Sequence, residues 1–130
     1  MKLLTSDLIL NARTGPLAGT TIAIEHERLT MGRDLSCVVR LDDPKVSRIH
    51  AVIEVVNGKL FLRDNNSTNG TFVNGVRITR QEVHAGDVLQ VGASELHLLQ
   101  HTDFQSISFT MSDTIIQSSM DARKVTIESL

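Results

Sequence analysis

Two Asn-Gly pairs constrain this chain more than any other feature. Asn57-Gly58 separates Ala51-Val52-Ile53-Glu54-Val55-Val56 from Lys59-Leu60-Phe61-Leu62-Arg63. Asn74-Gly75 separates Thr71-Phe72-Val73 from Val76-Arg77-Ile78. A two-residue Asn-Gly connection suits the type I′ turn, which needs positive φ at both central residues and joins antiparallel strands. Each pair therefore predicts a β-hairpin, and the first predicts a well-fixed register. A third hairpin is expected from Val88-Leu89-Gln90-Val91, the turn Gly92-Ala93, and Glu95-Leu96-His97-Leu98-Leu99.

Other short runs fit the same pattern. Leu8-Ile9-Leu10, Thr20 to Ile24, Leu29 to Met31 and Cys37 to Leu41 read as strands, divided by Gly-, Pro- and Asp-rich turns. Glu82-Val83-His84 leads into the turn Ala85-Gly86-Asp87. No stretch shows a helical period. Many short strands joined by tight turns predict an all-β protein, a β-sandwich. The core must rest on Val, Ile and Leu, because the 130 residues hold four Phe and neither Trp nor Tyr. That length matches one domain with its own core. The polar segment after residue 100 differs in composition. Phe104 to Met111 is an expected edge strand, and residues 113–130 are an expected linker with a short helix near Asp121. Residues 1–100 are therefore expected to form the domain and 101–130 a tail. The chain is expected to be a domain cut from a longer protein.

Charge and composition exclude several functions. A net charge of −2 provides no global basic field for a nucleic-acid backbone, and the scarcity of aromatics disfavours base stacking. No run approaches the length of a membrane span, and Met1 to Asp7 lacks a signal-peptide core. The single cysteine, Cys37, excludes an internal disulfide and fits a reducing, cytoplasmic setting. It reads as a small buried hydrophobe. Glu25-His26-Glu27 has no further partners at ligand spacing, so no metal site and no cofactor are expected.

Between the apolar runs lie polar segments whose side chains suit an anion with several acceptor oxygens. They are Met31-Gly32-Arg33-Asp34, Asp42-Asp43-Pro44-Lys45-Val46-Ser47-Arg48-Ile49-His50, and Asp64-Asn65-Asn66-Ser67-Thr68-Asn69-Gly70-Thr71. Guanidinium groups supply charge, and hydroxyls and an amide supply direction. Taken singly, each has an ordinary explanation: Asn-Gly is a turn dipeptide anywhere, Ser47 can cap a turn, and Arg33 or Arg48 can pair with Asp34 or Asp43.

Gly32-Arg33, Ser47-Arg48-Ile49-His50, Ser67-Thr68-Asn69-Gly70-Thr71 and Asn74-Gly75, in this order, resemble the forkhead-associated (FHA) family over roughly Leu8 to Gln100. The resemblance implies an eleven-stranded sandwich that binds phosphothreonine peptides, with a Ser/Thr kinase upstream and a phosphothreonine-containing protein as partner. It implies that Arg33 reaches the phosphate or braces the loop around it, that Ser47 bonds a phosphate oxygen, and that Arg48 adds a contact. Thr68 and Asn69 would hold the peptide backbone and frame the threonine methyl. His50 would tie the Ser47 loop to the loop of Ser67, Asn74 would brace that loop from the second hairpin, and Gly32, Gly70 and Gly75 would supply conformations closed to other residues. Peptide selectivity in the family rests on variable loops; Arg80, Gln81 and His101 are candidate readers.

Two alternatives compete with this reading. Ser47, His50 and Asp64 are the residue types of a hydrolytic triad, but no strand-turn-helix elbow accompanies them. The domain is therefore expected not to be an enzyme. A sandwich that only oligomerises through its edges would leave Arg33 and Ser47 without a role. In the tail, Thr110 and Thr114 are candidate phosphorylation sites that would fill the domain's own site, giving self-inhibition or self-association.

Overall fold

A computed structural model describes residues 7–101. These residues form eleven strands in two sheets. The strands are β1 (Leu8–Ala12), β2 (Thr21–Ala23), β3 (Arg28–Gly32), β4 (Val39–Arg40), β5 (Ala51–Val56), β6 (Lys59–Asp64), β7 (Thr71–Val73), β8 (Val76–Ile78), β9 (Arg80–Val83), β10 (Val88–Val91) and β11 (Ser94–Gln100). One sheet has the order β2-β1-β11-β10-β7-β8 and the other β4-β3-β5-β6-β9. No strand passes through both. The expected edge strand at 104–111, the helix near Asp121, and Thr110 and Thr114 lie outside the described residues.

The hairpins form where the Asn-Gly pairs place them. Asn57 and Gly58 have φ of 54° and 77°, and Asn74 and Gly75 have 51° and 85°. Across the first, Val56 pairs with Lys59 and the ladder runs unbroken to Ala51 and Asp64. Across the second, Val73 pairs with Val76. The alternation of the strands decides which side chains face inward. Leu29 and Met31 of β3, Ala51 and Ile53 of β5, and Leu60 and Leu62 of β6 form one wall of the core. Leu10, Val73, Leu89, Val91, Leu96 and Leu98 form the other. Burying one such aliphatic side chain contributes about 1.5–3 kcal/mol.

Two strands depart from the expected pattern. The strand expected over Cys37–Leu41 shrinks to Val39–Arg40, paired in parallel with β3. β9 begins at Arg80, earlier than the apolar pattern suggests, and pairs with β6 from Arg63↔Arg80 to Leu60↔Val83.

The ladders also sort the connections by end. Asp64 pairs with Ala51, beside Met31. Val91 pairs with both Thr71 and Ser94. The β3–β4, β4–β5 and β6–β7 loops and the Gly92-Ala93 turn therefore share one end. The turns Asn57-Gly58 and Asn74-Gly75 lie at the other. So do Leu8 and Gln100, because Arg13, at the far end of β1, bonds the Glu95 carbonyl at the start of β11.

Candidate functional site

The shared end of the sandwich gathers Arg33, Ser47, Arg48, Thr68 and Asn69. His50 is the pin beneath them. It is fully buried, and its Nδ1 accepts the Ser47 N–H at 3.0 Å. Its Nε2 lies 2.8 Å from the Gly70 carbonyl. A carbonyl can only accept, so Nε2 carries the proton and Nδ1 does not. This one neutral tautomer satisfies both bonds and ties the β4–β5 loop to the β6–β7 loop.

Three more bonds brace the same pair of loops. The Thr68 N–H donates to Ser47 Oγ at 3.2 Å. The Asn69 amide donates to the Lys45 carbonyl at 2.8 Å, and the Asn65 amide to the Ile49 carbonyl at 3.1 Å. The β3–β4 loop joins through Arg33, whose Nε–H donates to the Val46 carbonyl at 2.8 Å and whose N–H donates to the Ser47 carbonyl at 3.1 Å. Gly32 explains how these backbones approach: an added Cβ would run into the Arg48 carbonyl and the His50 nitrogen.

Asp64 and Asp43 anchor the loops from below. The Asp64 carboxylate accepts the Ser67 hydroxyl and N–H and, at 2.6 Å, the Thr71 hydroxyl. Burial works to raise its pKa, but these donations outweigh it and hold the carboxyl below the ordinary carboxylate range. Ser67 Oγ in turn accepts the Gly70 N–H at 3.0 Å. Asp43 accepts N–H bonds from Ala93 and Lys45, both at 2.9 Å, which hold its carboxyl low in the same way. Asp43 thereby fastens the β4–β5 loop to the Gly92-Ala93 turn. Sequence reading missed both bracing roles, and it also missed Lys45, whose carbonyl receives Asn69. The Asp-x-x-Ser spacing of Asp64 and Ser67, a local side-chain-to-backbone turn pattern, is the signal that was present.

What is left unengaged defines the chemistry. Arg33 commits its Nε, and no bond to its two terminal nitrogens occurs among the described residues. The Arg48 side chain is 77% exposed and lies 3.8 Å from Asp34, a loose pair. Hydroxyl and backbone donation from Ser36 hold the Asp34 carboxyl low. Ser47 Oγ accepts from Thr68 and keeps its own hydrogen free to donate. Two guanidinium groups and a hydroxyl thus stand on a braced platform, a donor set for an oxyanion of multiple charge.

The same bonds break up the hydrolytic triad. His50 receives the Ser47 backbone N–H, not the hydroxyl, and its other nitrogen bonds Gly70 rather than Asp64. Asn74 and Gly75 need correction. The Asn74 amide donates to Asp87 at 3.0 Å and its oxygen accepts the Val88 N–H at 2.9 Å. Both residues close a turn at the opposite end of β7, so neither braces the Thr68 loop. His101 follows the last residue of β11 and is also at that far end. Arg80 packs its guanidinium over the Phe61 ring, 4.1 Å from the centroid, and Gln81 of β9 pairs with Leu62 of β6.

An eleven-stranded sandwich with these loops at one end defines the FHA class of domain. The FHA domain family profile matches residues 29–92, and the chain belongs to this family. An oxoglutarate dehydrogenase inhibitor from Corynebacterium efficiens is 34% identical over 91 residues, 70% of this chain. The chain spans 64% of that protein's length. A solved FHA domain studied for phosphothreonine-dependent interactions is 32% identical, with a TM-score of 0.65 over 72% of this chain and 96% of its own. The FhaA FHA domain, solved with the intracellular domain of Rv3910, is 32% identical, with a TM-score of 0.63 over 70% and 98%.

Proposed function

We propose that residues 1–100 form a phosphothreonine-dependent peptide-binding module, and that Arg33, Ser47, Arg48, Thr68 and Asn69 bind the phosphopeptide. The carrying observation is the placement of the Arg33 and Arg48 guanidinium groups and the Ser47 hydroxyl on loops already tied by His50. A phosphothreonine brings three acceptor oxygens and a charge of about −1.5 to −2, which this set matches. Gly32, His50 and Gly70 support the site without touching ligand. The solved relative's phosphothreonine dependence and the FhaA complex support the same reading. The module acts by binding rather than catalysis, in the cytoplasm, as the regulatory part of a larger protein downstream of a Ser/Thr kinase. Its partner is a protein carrying the phosphothreonine. No cofactor, nucleic acid or membrane enters this reading.

The edges speak against simple oligomerisation. β2, β4, β8 and β9 border the sheets, each two to four residues long, and β9 opens with Arg80-Gln81-Glu82. Short polar edges discourage strand addition.

The test is calorimetric titration with a phosphothreonine peptide, its phosphoserine twin and its unphosphorylated twin. Binding of the phosphothreonine peptide alone, or ahead of phosphoserine by about 1–3 kcal/mol for the methyl group, supports the reading. Equal binding of phosphorylated and plain peptides overturns it. Phosphothreonine at Thr110 or Thr114 would present the same ligand at roughly millimolar effective concentration, given a sufficient span. Ligating it there should weaken binding of an external peptide or raise the mass in solution; the absence of both effects would make the tail a plain linker.

A further inference from the structure

We propose that Arg77 is a specificity-determining residue, reading an acidic side chain a few residues from the phosphothreonine; this rests on the phosphopeptide reading above. Arg77 lies in β8, opposite Phe72 of β7. Thr71 and Val73 point into the core, so Phe72 and Arg77 stand on the outer face. From there the Arg77 side chain does not extend into solvent at right angles to the sheet. It lies back across Gly70. A Cβ added at Gly70 would sit 2.7 Å from Arg77 Nε and 3.0 Å from Cζ. Gly70 has φ of 93° and presents only hydrogen at that point. The seat for the guanidinium therefore exists because position 70 lacks a side chain.

This cation is free. The ion pairs among the described residues engage Arg40, Arg48 and Arg63, and Arg80 is stacked on Phe61. Arg77 has neither kind of partner there. Its seat is the end of the loop that carries Thr68 and Asn69. A peptide held by its phosphate at Ser47 and by its backbone at Asn69 passes Gly70 as it leaves the site. Gly70 is two residues beyond Thr68, a Cα separation of at most about 7.6 Å. At about 3.3 Å per residue of extended peptide, and with the reach of a guanidinium, that places the side chain Arg77 meets roughly two to four residues from the phosphothreonine. A carboxylate or a second phosphate there gains a planar, bidentate donor.

The experiment titrates the whole chain with a phosphothreonine peptide flanked by alanines, and with copies carrying a single Asp at each of the four positions on either side. Wild-type protein should bind the alanine peptide and gain about five- to twentyfold from Asp at one position two to four residues away. Arg77→Gln should bind the alanine peptide as wild type does and lose that gain. Arg77→Lys should keep part of it, since the charge remains. Equal affinity for all Asp peptides, or a gain that survives Arg77→Gln, overturns the proposal while leaving phosphopeptide binding intact. Loss of alanine-peptide binding in both Arg77→Gln and Arg77→Lys assigns Arg77 to loop packing and likewise overturns it. Failure of wild type to bind any phosphothreonine peptide sinks the parent reading, and this one with it.

Discussion

Replacing His50 with Ala removes two hydrogen bonds at once, and both partners are backbone groups of binding loops. Leaving a buried polar group unpaired costs about 1–3 kcal/mol, so His50→Ala should unfold at lower urea and also bind phosphopeptide more weakly. An unchanged unfolding midpoint would contradict the pin. Ser47→Ala deletes a donor towards ligand and the acceptor for Thr68, and should weaken binding by about ten- to a hundredfold, as expected for a charge-assisted bond worth about 1.5–3 kcal/mol. Titration of the folded variant measures this. Ser94 offers a contrast. It is fully buried, its hydroxyl has no partner among the described residues, and it packs against Gly15. Ser94→Ala should therefore be neutral or stabilising in thermal unfolding, because an orphan hydroxyl is removed without leaving a large cavity. The candidate site residues Arg33, Ser47, Arg48, Thr68 and Asn69 could be singled out because hydroxyls, amides and guanidiniums crowd polar segments between strands. The role of Asp43 was not legible, because an Asp that receives an N–H bond from the sequence-distant Ala93 looks like any surface Asp, and Asp64 signalled its role only through the local Asp-x-x-Ser spacing.

At the scale of elements, short-range chemistry was legible and long-range pairing was not. Asn57-Gly58 and Asn74-Gly75 encode their turns locally, so the β5–β6 and β7–β8 hairpins could be read from the chain. β4 could not. Its two residues pair in parallel with β3, and no turn dipeptide encodes a parallel contact. β9 was half hidden because an edge strand beginning Arg80-Gln81-Glu82 has no apolar alternation to show. Acid should act on the same inter-element ties. Asp43 and Asp64 both hold folded pKa values below their ordinary ones. The unfolded chain therefore takes up protons first as pH falls. Their stabilisation is complete above about pH 4 and is lost below it. Their contribution to the unfolding free energy should be constant from neutral pH down to that point and then drop. Asp43→Asn combined with Asp64→Asn should flatten the drop; an unaltered acid transition in this variant would reject the assignment.

For the whole molecule, the distribution of charge matters more than its sum. The chain carries −2 overall, yet Arg33, Lys45 and Arg48 stand on the loops of the proposed site, interspersed with Asp34, Asp42 and Asp43. Affinity for a phosphopeptide should fall as salt rises, because exposed charges are screened beyond about 8 Å at physiological ionic strength. It should rise with pH through about 6, where the phosphate loses its second proton. Titrations across salt and pH check both, and an affinity indifferent to the two would point to backbone contacts alone. The segregation of ends has a practical counterpart. Leu8 and Gln100 lie at the pole opposite the binding loops. A dye, a surface tether or a fused protein attached near residue 7 or 101 would hang from the base of the domain, leaving its reading head turned outwards. The domain should thus serve as an oriented capture reagent, binding phosphopeptide on a sensor chip as tightly as it does in solution.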